Sequence, residues 1–85
     1  MALEDDFQKA AEESKQLPER PGNDDMLKLY SLYKQGSQGD VTGESPGMMD
    51  FVGHAKFTAW EERKGMARED AMQQYIDLVE HLKGT

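Results

Sequence analysis

Tyr30, Tyr33 and Lys34, in the stretch LYSLYKQGSQGDV, are the residues of this chain whose types and spacing most invite chemistry. On a helix they span only ~100° of surface, so two flat amphipathic rings and a cation face one visitor. Lysine supplies a point charge suited to phosphate, and tyrosine stacks on a base or donates its hydroxyl. Together they describe a nucleotide-like site. A plainer reading meets the same spacing and, from spacing alone, is favoured: both rings edge the core with their hydroxyls in water, and the lysine lays its stem along apolar surface.

Catalysis would need a nucleophile with a base, a carboxylate pair in a dry cleft, or a metal cluster. The chain has no cysteine, and His54 and His81 belong to no i, i+4 metal motif. Glu61 and Glu62 lie ~100° apart on a helix, the arrangement of a solvated face. No glycine-rich loop ends in Gly-Lys-Ser/Thr. The sequence is therefore read as having no catalytic residue, no metal site and no enzymatic activity.

The chain has 85 residues and a formal net charge of −7. That length suits one small domain, residues 1–85, with little room for a deep enclosed site. The negative charge opposes nucleic-acid binding, which rests on Lys and Arg displacing counterions from phosphate. Acids and bases are unevenly placed, eight against three in residues 1–25, three against three in 26–60 and six against four in 61–85. The tyrosines lie in the neutral third. The start, MALEDDF, carries acids where an export leader needs positive charge, and no stretch approaches the ~20 apolar residues of a membrane span. With no cysteine, a reducing, cytoplasmic address is expected.

Four helical patterns position these residues. Leu3, Phe7, Ala10, Ser14 and Leu17 recur at spacings of four and three, predicting helix one over about 4–17, stopped by Pro18 and Pro21. Ser14 is the polar member of that stripe and reads as a weak point in the packing. Asn23 is a suitable N-cap for helix two, about 23–37, with Asp24 and Asp25 complementing the helix dipole. Its apolar arc is wider than the ~100° stripe one core requires, so part of it must face something besides one neighbour. Helix three, about 50–64, carries Phe51, Ala55, Phe57, Ala59 and Trp60. Helix four, about 67–83, aligns Met72, Tyr75, Ile76, Val79 and Leu82, with Ala67 at its cap, a choice that should cost ~1 kcal/mol against Ser or Thr. Between helices two and three, GSQGDVTGESPG, from Gly36 to Gly47, reads as a long loop. The architecture expected is an all-α bundle of four helices.

Three segments, MLKLYSLYKQGSQGD, SPGMMDFVGHAKFTAW and REDAMQQYIDLVEHLK, closely resemble the acyl-CoA-binding protein family, in order and nearly gap-free along almost the whole chain. The resemblance implies a four-helix bundle of up-down-down-up topology, with a long overhand loop joining helices two and three. It also implies reversible binding of long-chain acyl-CoA esters without chemistry on them. By the same resemblance, Tyr30, Lys34 and Lys56 hold the phosphorylated ribose, Tyr33 stacks with adenine, Tyr75 contributes from helix four, and Lys15 closes the head-group region. Ser31 and Leu32 fall in that binding stretch, and Met26 and Leu27 match residues near the acyl chain.

An acidic protein that binds a polyphosphorylated ligand must gather cations locally, and Lys34 with Lys56 lies in the neutral third. Several residues depart from the family pattern. Val52 stands where many members have lysine, removing one possible phosphate contact and lengthening the apolar floor, and Phe57 stands where a second tryptophan is common. Ser14 replaces an apolar residue. The function expected is that of a monomeric carrier, needing no cofactor, that buffers long-chain acyl-CoA and meets acyl-CoA-using enzymes and membrane surfaces transiently. A helical protein-interaction module using the same aromatics and methionines is the rival from another class. A thioesterase is a weaker one, because no nucleophile is visible.

Overall fold

The computed structural model describes residues 2–43, Gly47 and 50–84. Among them lie four helices, α1 (Ala2–Glu13), α2 (Asn23–Gln38), α3 (Phe51–Glu61) and α4 (Arg68–Leu82), with a 3-10 turn, Ser14–Gln16, after α1 and no strand. The fold is the all-α four-helix bundle that the periodicity predicts. Of the loop between α2 and α3, Glu44, Ser45, Pro46, Met48 and Met49 fall outside the described residues.

The apolar stripes of α1 and α4 build the core. Phe7 and Ala10 of α1 meet Leu29 and Leu32 of α2 and Ala71, Met72, Tyr75 and Val79 of α4 in one buried cluster. α2 packs against both α3 and α4, while α1 packs chiefly against α4. That double contact, plus Phe7 stacking on Tyr33, uses much of the wide apolar arc of α2. Helix α3 is more peripheral: Trp60 is buried, whereas Phe51 is 77% exposed.

Three local expectations are corrected. Asn23 is not the cap of α2; extended Gly22 occupies that position with no side-chain cap. Helix α2 ends at Gln38, close to the expected 37, so Gly36 lies inside the helix and does not begin the loop. A Cβ on Gly36 would come within 3.1 Å of Phe7 Cζ and 3.2 Å of Met72 Cγ, so this glycine serves close packing between helices. The helix instead ends at Gly39, whose φ of 84° favours glycine. Gly36→Val should therefore lower stability by ~1–3 kcal/mol through overpacking, read as an earlier urea midpoint.

Ser14 is the third correction. It is no gap in the stripe: its hydroxyl donates to the Ala11 carbonyl at 2.7 Å and accepts from the Tyr75 hydroxyl at 3.1 Å. Ala67, by contrast, caps α4 without a side-chain bond, as its type dictates.

Polar contacts fasten the end of α2 to the α3–α4 turn. Buried Gln35 donates through Nε2 to Asp40 Oδ1 at 3.0 Å and to the Met66 carbonyl at 2.8 Å. Asp40 Oδ1 also accepts from the Gly65 amide at 2.9 Å, and Trp60 Nε1 donates to the Gly39 carbonyl at 2.9 Å. Arg68 donates to the carbonyls of Gly36 and Ser37, which the end of α2 leaves without intrahelical partners. At the other end of the bundle Lys83 bridges Glu13 and Glu80.

The Gly65 amide, and then Gln35, hold the Asp40 carboxyl below its ordinary pKa. A depressed folded pKa gives stability that is present above the unfolded value and lost as pH falls through the folded one. Stability should therefore decline below about pH 4. It should decline less steeply in Asp40→Asn, which keeps the acceptor oxygen but cannot be protonated in that range. Urea midpoints of the two proteins between neutral pH and pH 3 measure the difference.

Candidate functional site

Helix α2 presents Met26, Leu29, Tyr30 and Tyr33 to an open hollow of about 730 Å³. Opposite them stand Gln8, Ala11 and Glu12 of α1, with Ser14 and Lys15 of the 3-10 turn; Lys56 of α3 and Tyr75 of α4 complete the wall. Six residues expected from the sequence thus meet: Met26, Tyr30, Tyr33 and Lys56, with Lys15 and Tyr75.

The cations sit on aromatic faces. Lys56 Nζ lies 5.3 Å from the Tyr30 ring centroid. Lys34 Nζ lies 6.0 Å from that ring and 5.0 Å from the ring of Trp60. Such contacts hold an ammonium through the ring quadrupole and leave its hydrogens able to bind an anion. Lys34 therefore adjoins the hollow through Tyr30 without lining it. Trp60, fixed by its bond to Gly39, is the platform that places Lys34.

Behind the wall an aromatic trio gives support. The Phe7 and Tyr33 rings stack with centroids 5.4 Å apart and planes 24° apart. Tyr75 meets Phe7 edge-on at 5.2 Å and Tyr33 at 5.8 Å. One face of Tyr33 is taken by Phe7, so a stacking partner entering the hollow that Tyr33 lines must use the other. Burial raises the Tyr75 pKa, outweighing the opposing effect of its bond to Ser14, while Tyr33 adds to the rise.

Other expected residues fall elsewhere. Leu32 is 3% exposed and belongs to the core, and Ser31, 1% exposed, donates to the Lys28 carbonyl and accepts from Arg63 Nε. Helical rotation turns both away from Tyr30. Leu27 and Ser31 border a smaller hollow of about 270 Å³ on another side, with Lys28 and Arg63 among its neighbours. Val52 does not lengthen the apolar floor; it stands 67% exposed, outside the lining of the hollow.

Sequence reasoning missed the α1 side of the site. Gln8 and Ala11 share with the expected Lys15, at i, i+3 and i+7, the flank beside the Phe7 stripe, a signal available in the spacing but without a distinctive residue type to raise it. Among the described residues no group of His, Asp or Glu is placed to hold a metal, and no helix is long and apolar enough to cross a membrane.

An open amphipathic hollow on a small helical bundle, cationic at one edge and aromatic behind, defines a binding protein for an anionic ligand with flat and apolar parts. The family described as Acyl CoA binding protein matches residues 4–79, and the chain belongs to it. It is similar to acyl-CoA-binding protein homolog 1 of Caenorhabditis elegans, 51% identical over 76 residues that cover 89% of this chain and 88% of the relative. The crystal structure of Oryza sativa acyl-CoA-binding protein 2 is similar with a TM-score of 0.92 and 40% identity, covering 96% of this chain and 89% of that one. The crystal structure of an ACBP from Moniliophthora perniciosa gives 0.86 and 35%, covering 96% and 84%.

Proposed function

We propose that residues 1–85 form a single acyl-CoA-binding domain that takes up long-chain acyl-CoA esters reversibly, buffers them and carries them through the cytoplasm without catalysis. The observation that carries this reading is the convergence of Lys15, Lys34 and Lys56 around the tyrosines of one open hollow, in a chain of this family. The ammoniums meet the phosphates, Tyr30 supplies a hydroxyl, Tyr75 contributes from α4, the face of Tyr33 away from Phe7 receives the adenine, and Met26 lies against the acyl chain. The ligand brings its own CoA, so no cofactor is required. The protein works as a monomer, taking ester from membrane surfaces and handing it to enzymes that use it.

Calorimetric titration with palmitoyl-CoA, and separately with free CoA and palmitate, tests this while released thiol is assayed. The ester should bind one to one, each half more weakly, and no thiol should appear. Affinity should grow with chain length, by up to ~0.8 kcal/mol for each methylene buried. Absence of both heat and a Trp60 fluorescence change with the ester would sink the proposal.

A further inference from the structure

The Ser14 hydroxyl has two neighbours, and one of them fixes its direction. The Ala11 carbonyl can only accept, so at 2.7 Å the Ser14 proton is committed to it. Ser14 Oγ must then accept from Tyr75, which commits the single proton of the phenol at 3.1 Å. The relay runs one way, Tyr75 to Ser14 to Ala11. All three residues border the hollow, and Tyr75 is 4% exposed. Reversing the relay would free the Ala11 carbonyl of its bond for no gain.

We propose that Ser14 is a specificity-determining positioning residue: by engaging the only proton of Tyr75, it leaves the phenol oxygen able only to accept, so this wall selects a ligand group that carries a hydrogen-bond donor. Phosphate and carbonyl oxygens are disfavoured there. Burial, which raises the Tyr75 pKa, keeps the phenol protonated at neutral pH and the relay intact. The inference rests on the acyl-CoA reading and deepens it. Tyr75 adjoins the Tyr33 ring, 5.8 Å between centroids, so a purine stacked on the face of Tyr33 away from Phe7 brings its substituted edge toward the acceptor. The donor so placed is the exocyclic amino group of adenine.

The test titrates the parent, Ser14→Ala and Ser14→Thr with palmitoyl-CoA and with its hypoxanthine counterpart, in which a carbonyl replaces the amino group. The parent should prefer the amino compound about tenfold, since the carbonyl would face an acceptor without a proton between them. In Ser14→Ala the phenol is free to turn its proton to the ligand, and the preference should shrink to about twofold. Ser14→Thr keeps the hydroxyl and should restore it. A merely structural Ser14 would weaken both ligands alike and leave their ratio unchanged, which overturns the inference. Equal affinity of the parent for the two compounds overturns this inference alone, whereas binding of neither overturns the acyl-CoA reading with it.

Discussion

Phe7→Ala should remove about 3–5 kcal/mol of stability, the range for emptying a buried phenylalanine site. A domain of this size holds a total of only about 4–13 kcal/mol at the usual stability per residue, so the loss is a large fraction of it. Phe7 is 1% exposed and joins α1 to the aromatic residues of α2 and α4. Its ring stacks on Tyr33, meets Tyr75 edge-on, and lies where the missing Cβ of Gly36 lets α2 approach. The cavity left behind would be lined by two tyrosines that also line the ligand hollow. Urea unfolding should show a much lower midpoint, and the remaining folded protein should bind ligand less tightly because Tyr33 has lost its backing. A midpoint like the parent's would mean that neighbouring side chains refill the space. In that case the trio does not hold the site.

What the sequence discloses of this fold depends on how local each cause is. The stripes of α1 and α4 are legible because a repeat of three and four residues is itself the physical cause of a buried face, and Phe7, Ala10, Met72, Tyr75 and Val79 are all buried. Gly36 misleads because glycine serves both turns and close packing, and only the position of Phe7 and Met72 distinguishes them. Ser14 misleads for the same reason at longer range: its partner Tyr75 lies 61 residues away in sequence. Beside an apolar stripe a lone hydroxyl reads as a defect, and in the fold it is half of a hydrogen bond.

The candidate site divides along similar lines. Tyr30, Tyr33 and Lys56 line one hollow, and Lys15 and Tyr75 join them there from opposite ends of the chain. Ser31 and Leu32 share the motif but not the surface, since neighbours in sequence are rotated apart on a helix. The part of Trp60 was not legible either. Its hydrogen bond to Gly39 and the lysine resting on its ring join two elements that the sequence keeps separate.

Lys56→Met should weaken palmitoyl-CoA binding by roughly 10- to 150-fold, the equivalent of losing one charge-assisted hydrogen bond of ~1.5–3 kcal/mol. Methionine retains an apolar stem of similar length, so the loss isolates the ammonium. Lys56 is exposed and makes its cation contact with Tyr30, so the fold should be unaffected and the urea midpoint close to the parent's. In the proposed reading its charge meets the phosphate end of the ligand. The variant should therefore lose affinity for free CoA by a similar factor and keep whatever affinity the parent has for palmitate. Salt supplies an independent check, because a screened attraction weakens with ionic strength. Parent affinity should fall more steeply with added salt than that of Lys56→Met. Lys34→Met should show the same pattern with one addition, a changed Trp60 fluorescence in the unliganded protein, because the Lys34 ammonium lies 5.0 Å from the indole. Equal salt dependence in parent and Lys56→Met would mean that the ammonium never meets the phosphates. An acidic protein would then be holding a polyanion without the cation placed nearest to it, and Lys15 with Lys34 would have to supply the attraction alone.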